Sequence, residues 1–268
     1  MVETSGLENR QTERSRGFES HLLRLMKISV LIVAHNEERH IQKCIESLLV
    51  QSRKPDEIVL IAHNSTDHTA EIASAYPVRV VEYAGPAGPV YARIKGFEEI
   101  TGDIVLCIDG DAHAAKNWIE VLSALLMKPD MVMVGSWIRM SGTIYSYLGG
   151  YRWYFFCNSR GFKATDWMWG ASFGLWVRDR ERIISALKKG ADLSKVLKLP
   201  ANPDDYWLAL FMSKYGDLEV TNKTWVDAYA KETSFIQWFA RSFNGNFVVR
   251  KTIHAFIKRG GILGVQTP

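Results

Sequence analysis

From Lys27 onward the chain alternates short apolar runs with segments of helical periodicity, the pattern of an α/β domain built on a largely parallel sheet. The run Ile28–Ala34 is almost wholly apolar and reads as a strand buried on both faces. After it, Asn36 is expected to cap a helix with Glu37 and Glu38 in the first turn, and Ile41, Cys44, Ile45, Leu48 and Leu49 share one face. The same alternation predicts a strand over 57–62, a helix over 69–75, a strand over 78–81, a helix over 90–100 and a strand over 104–108. Strands joined by crossovers therefore fill the chain up to residue 110. Beyond it the pattern is mixed: a helix over 116–126, a strand over 131–138, an aromatic-rich stretch over 145–162, a strand over 169–177, and helices over 179–188 and 204–214, the last stopping at Gly216. Two amphipathic segments around Asn244-Gly245-Asn246 fill 232–259.

Composition narrows the class. With 268 residues, 47% hydrophobic and 23% charged, the chain can bury a sizeable core and is neither a coiled coil nor low-complexity. A net charge of +4 gives no argument for nucleic acid, and no nucleic-acid partner is expected. Cys44, Cys107 and Cys157 are odd in number and far apart, which excludes a disulfide framework and a CxxC metal site and makes a reducing, cytoplasmic setting the default. No apolar run approaches the roughly 18 residues of a spanning helix. The expectation is a soluble protein or one peripheral to the cytoplasmic membrane face. Residues 1–26, alternating acids and arginines, read as a disordered, dispensable leader with translation expected to start at Met26. Residues 27–230 form the expected domain and 231–268 a basic, aromatic helical appendage.

The first candidate chemistry is Asp109-Gly110-Asp111, placed where the apolar run 104–108 ends. Ligands of open α/β sheets bind outside the carboxyl ends of strands. Two carboxylates one residue apart can share a hard divalent cation completed by water and phosphate oxygens. Taken alone, the same triplet is equally an acidic turn.

Its surroundings resemble the family 2 inverting glycosyltransferases of GT-A fold, over about residues 27–216. Ile32-Val33-Ala34-His35-Asn36-Glu37 resembles their first strand and its P-x-Y-N-E turn, and Asn64-Ser65-Thr66-Asp67-His68-Thr69 their second-strand loop. Ala92-Arg93 with Gly96, then Thr101-Gly102-Asp103-Ile104, resemble the elements preceding the DxD triplet; Asp204-Asp205 with Leu208 resembles the later E-D-x-x-L element. Each motif is weak, and their order and spacing together are specific.

The resemblance implies a GT-A-like mixed, largely parallel sheet flanked by helices. It implies a nucleotide-sugar donor bound by Ala34, His35, Glu37, His63, Asn64, Asp67, Arg93, Asp109, Gly110 and Asp111. Asp109 and Asp111 would hold Mn²⁺ or Mg²⁺ against the leaving diphosphate, and Arg93 would add a cation on the same phosphates. Asp205, beside Asp204, is the candidate base that takes the proton of the attacking acceptor hydroxyl; the alternative is that both acids only complement a helix N-terminus after Pro203. Trp169 and Gly170, in a stretch resembling the family's acceptor strand and loop, are the candidate acceptor contacts, Trp169 by stacking on a sugar or simply as core.

Two features depart from the family pattern. Ala62-His63 stands where an acid-containing pair usually reads the base, leaving His35 and His63 as substitutes by stacking or hydrogen bonding, or else as solvated loop residues. His113 is placed either at the metal or facing solvent. In the tail, Phe235, Trp238, Phe239 and Phe243, then Val249, Ile253, Phe256 and Ile257 among basic residues, fit either a helix on an anionic membrane surface or one packed on the domain. Gln237, Trp238 and Arg241 resemble a late family region closing over the diphosphate, with Arg241 as phosphate clamp. The aromatic and basic segments favour a glycan or polyprenyl-phosphate-type, lipid-linked or cell-envelope acceptor. A nucleotidyltransferase would need a glycine-rich loop where His35-Asn36-Glu37 stands, and no P-loop motif occurs. The remaining rival is a degenerate transferase that binds a glycan or partner without turnover.

Overall fold

Strand β1 (Ile28–Ala34) has every position buried in the computed structural model, because it lies inside the sheet with helices on both faces. The structure describes residues 25–141, 170–199, 203–229, 252–253 and 255–256. On one side β1 pairs in parallel with β2 (Glu57–His63), and β2 with β3 (Arg79–Tyr83). On the other side it pairs in parallel with β4 (Ile104–Asp109). The sheet then turns antiparallel through β7 (Ser172–Trp176) to β6 (Met131–Ser141), continues parallel to β8 (Asp217–Tyr229), and ends antiparallel on the short β5 (Ala112–Ala114). The order is β3-β2-β1-β4-β7-β6-β8-β5.

Alternation along β1 sorts the core into two layers. Leu31 and Val33 pack with Phe97 of α3 (Pro89–Glu99), Leu187 of α5 (Arg180–Val196) and Trp207 of α6 (Asp204–Met212). Val30, Ile32 and Ala34 pack with Ile45 of α1 (Ile41–Leu49) and Leu122 of α4 (Trp118–Leu126). The short α2 (Thr69–Ser74) follows β2.

The structure corrects several boundaries. Asn36 does not cap α1, which starts at Ile41 after His40; Asn36 sits at φ 55° and its side chain turns to the neighbouring loop. Helix α5 runs past residue 188 because Gly190, Ala191 and Ser194 continue its buried face, and such small residues give little amphipathic contrast. β5 and β8 have no counterpart in the sequence reading, β8 because its exposed and half-buried positions predominate. Among the described tail residues, Ile253 is buried in the core and Phe256 packs against it, the domain-packed alternative for these two. The rest of the tail, the stretch 145–162, Cys157, Trp169, Arg241 and the leader up to residue 24 lie outside the described residues. Cys44 and Cys107 are buried and free. No helix among the described residues is long and apolar enough to cross a membrane.

Candidate active site

Because β2, β1 and β4 are adjacent and parallel, their carboxyl ends deliver three loops to one edge of the sheet. There they enclose a cavity of about 240 Å³ lined by Ala34, His35 and Glu37 after β1, His63 and Asn64 after β2, and Asp109, Gly110 and Asp111 after β4, with 87–89 as a further wall. The loops are tied to one another. The Asn36 side-chain oxygen accepts the Thr66 N–H at 2.8 Å, the Glu37 N–H donates to Thr69 Oγ1 at 2.7 Å, and the Glu38 N–H donates to Asp67 Oδ2 at 3.0 Å. His35 Nδ1 donates to the His63 carbonyl at 2.8 Å. Asn64, at φ 50°, exchanges two side-chain hydrogen bonds with the backbone of Gly85 and so fastens the 84–88 segment.

Asp67 does not line the cavity: burial pushes its pKa up, but its carboxylate takes Thr69 and Glu38 donors, and these hold it down. His63 is no solvated loop residue: it is buried, stacks on Tyr83 at 5.5 Å between centroids, and burial lowers its pKa. His35 remains exposed at the cavity wall.

The Asp109-Gly110-Asp111 turn is fixed through its backbone. The Gly110 N–H donates to the Val33 carbonyl at 2.8 Å, and the Tyr229 N–H to the Asp111 carbonyl at 3.0 Å. A side chain on residue 110 would place its Cβ 2.9 Å from that of Ala34, so only glycine fits this approach. Tyr229, which the sequence reading missed, also stacks on His40 at 4.5 Å and meets His113 edge-on at 4.9 Å. His113 is thereby directed toward Tyr229, and among the described residues no group of three ligating side chains forms. Among the described residues the cavity wall carries the carboxylates of Glu37, Asp109 and Asp111 and no lysine or arginine. The oxygen ligands of Asp109 and Asp111 fit a hard divalent cation, with further ligands from water and phosphate.

Arg93 does not line this cavity. It is 3% exposed, with one nitrogen on Asp204, and the other at 2.9 Å from Asp109 Oδ1 and 3.0 Å from the Gly170 carbonyl. Burial opposes its charge, but Asp204 and Asp109 outweigh that and raise its pKa above the usual arginine range. Asp205 Oδ2 accepts the Gly170 N–H at 2.8 Å and Oδ1 the Tyr206 N–H at 2.8 Å. Both acids of α6 therefore face this cluster, beyond any service to the helix dipole. Burial first, and then the negative charge of Asp204, push the Asp205 pKa up; burial likewise raises that of Asp109, against the pull of Arg93. Gly170 acts here through its backbone as a tie between elements.

The Arg93 cluster predicts a stability effect. Arg93→Leu strands Asp204, 4% exposed, without its partner. Breaking a buried pair costs about 3–5 kcal/mol, so thermal unfolding should report a midpoint lowered by roughly 6–20 °C at about 2–4 °C per kcal/mol. A change under about 2 °C would contradict the burial of this pair.

Comparison with known proteins meets the same elements. A family described as "Glycosyl transferase family 2" matches residues 29–183. Glycosyltransferase GlyG of Streptococcus pneumoniae is 28% identical over 132 residues, 46% of this chain and 44% of that protein. Glucosyl-dolichyl phosphate glucuronosyltransferase of Haloferax volcanii is 30% identical over 149 residues, 51% of this chain and 47% of that protein. The chain thus spans under half the length of these curated relatives. The crystal structure of glucosyl-3-phosphoglycerate synthase from Mycobacterium tuberculosis with Mn²⁺, UDP and phosphoglyceric acid aligns with a TM-score of 0.57 and 21% identity, over 88% of this chain and 79% of that one. That likeness is one of fold.

Proposed function

The chain belongs to glycosyl transferase family 2, and from that premise we propose that it moves a sugar from a nucleotide-activated donor, with inversion, to a hydroxyl or phosphate acceptor. The observation that carries this reading is the convergence on one sheet edge of the Asp109 and Asp111 carboxylates, the cavity beside them, and Asp205 joined to Asp109 through Gly170 and Arg93. The donor diphosphate lies at the β4 end, where Asp109 and Asp111 hold the divalent cation. When bound, that cation supplies a Lewis acid for the charge developing on the leaving diphosphate. The base and ribose lie along the β1 and β2 loops, between His35 and the His63–Tyr83 stack. Asp205 takes the proton of an acceptor hydroxyl as its oxygen attacks the anomeric carbon opposite the diphosphate. A raised pKa suits it to that exchange.

The dolichyl phosphate in the Haloferax relative's name and the phosphoglyceric acid bound to the Mycobacterium enzyme support a phosphate-bearing or lipid-linked acceptor. A polyprenyl-phosphate-type acceptor would bring the protein to an anionic membrane surface through its aromatic and basic segments.

The test is transfer itself. With Mn²⁺ or Mg²⁺ and UDP-, GDP-, CDP- and dTDP-sugars, release of the nucleoside diphosphate and the anomeric configuration of the product are followed by NMR. The reading expects metal-dependent release from one donor class and a product of inverted configuration. A retained configuration would refute the single displacement. Tight nucleotide binding with no release from any donor, in the presence of candidate acceptors, would favour the degenerate binding protein that the absence of an acid at Ala62-His63 suggests.

A further inference from the structure

We propose that Arg93 and Gly170 together form a positioning link that sets where Asp205 stands relative to Asp109. The inference rests on the transferase reading for its purpose but on geometry for its existence. One nitrogen of the buried guanidinium reaches Asp109 Oδ1 at 2.9 Å and the Gly170 carbonyl at 3.0 Å, while the other meets Asp204. The N–H of the same Gly170 is given to Asp205 Oδ2 at 2.8 Å. A continuous chain of hydrogen bonds therefore runs from the end of β4, through α3, through Gly170 two positions before β7, to the first turn of α6. Arg93 ties both acids of α6 to the triplet, Asp204 directly and Asp205 through Gly170.

Two features make this a designed fit more than an incidental ion pair. A planar fork can serve three acceptors at fixed angles, which a lysine ammonium cannot do from the same stem. Residue 170 also has to be glycine: an added Cβ would lie 2.5 Å from an Arg93 terminal nitrogen and 3.2 Å from Cζ, displacing the fork itself. A buried guanidinium over the Phe173 ring, at 5.7 Å, has no solvated alternative to move into. Asp205 thus cannot drift from the donor carboxylates without breaking a buried bond. Loss of register by about 1 Å between reacting groups is enough to cost on the order of 100-fold in rate.

The experiment uses the full chain labelled with [¹⁵N]glycine; the amide signal missing from Gly170→Ala identifies Gly170. In the parent this signal should move as pH passes through about 6 where Asp205 ionises, and the movement should shrink in Asp205→Asn to the part carried from Asp109 through Arg93. Asp109→Asn should displace the same signal, and in an Arg93→Lys background that displacement should fall to under about a third. The lysine variant's fold is checked by circular dichroism; if it does not fold, the first three arms still decide. A Gly170 signal indifferent to pH, to Asp205→Asn and to Asp109→Asn overturns the link. If the signal behaves as expected while no donor is ever turned over, the link stands and the transferase reading falls.

Discussion

Asp205→Asn is expected to lower kcat for a hydroxyl acceptor by about 10²–10⁴-fold, the usual contribution of a positioned general base, while leaving metal-dependent nucleotide binding unchanged. The asparagine oxygen can keep one of the two bonds, to the Gly170 or the Tyr206 N–H, while the other loses its acceptor, so the substitution removes the base and one hydrogen bond. The pH dependence has a definite sign. Burial raises the Asp205 pKa to about 6 in the folded chain, above the usual carboxylate value. The base is active when deprotonated, so the parent rate should rise with pH through about 6 and the variant should lose that rise. For stability the sign is opposite: an acid whose folded pKa is raised weakens the fold as pH climbs from its unfolded value through its folded one. Above pH 6 relief from that weakening offsets the one hydrogen bond the variant loses, worth about 1 kcal/mol, so its unfolding midpoint should lie close to the parent's. An unfolding midpoint several degrees lower would mean that Asp205 is chiefly structural. A phosphate acceptor is already ionised, and with one the same substitution should cost far less.

Asp111→Asn is expected to weaken metal-dependent nucleotide binding by about 100-fold or more, since the cation's stabilisation of diphosphate charge is worth several kcal/mol and its protein ligands are only two. Calorimetric titration of Mg²⁺ with the cognate nucleoside diphosphate measures it. Asp109→Asn should lose as much binding and some stability besides, because Asp109 also accepts from the buried Arg93. Equal binding by the parent and Asp111→Asn would place the metal elsewhere.

The parallel half of the fold was legible because its strands are continuous apolar runs and α1 carries a clear stripe: Ile41, Cys44, Ile45 and Leu48 are all buried as their spacing predicts. The second half hid its elements for physical reasons. β8 pairs with both β6 and β5, yet most of its positions are exposed or half-buried, so no apolar run marks it. At the site, the placement of Asp109 and Asp111 at a strand end could be read from sequence, since the apolar run 104–108 stops at them. The role of Arg93 could not. Its acceptors lie 16, 77 and 111 residues away in the chain, and only the fold reveals that they meet. Asp67 misled for a related reason: a loop acid near a ligand motif and one that fastens its own loop have the same sequence. Tyr229 gave no motif at all, because it acts through its backbone N–H.

The most direct test of the account is thermal unfolding of the parent, Asp109→Ala and Asp111→Ala with Mn²⁺ plus UDP, GDP, CDP or dTDP. A ligand at 100 times its dissociation constant adds about 2.7 kcal/mol, a rise of roughly 5–11 °C at about 2–4 °C per kcal/mol. The account predicts such a rise in the parent with one nucleotide, requiring the metal and absent from both variants. A rise without metal, a rise that survives in both variants, or none with any nucleotide would contradict it.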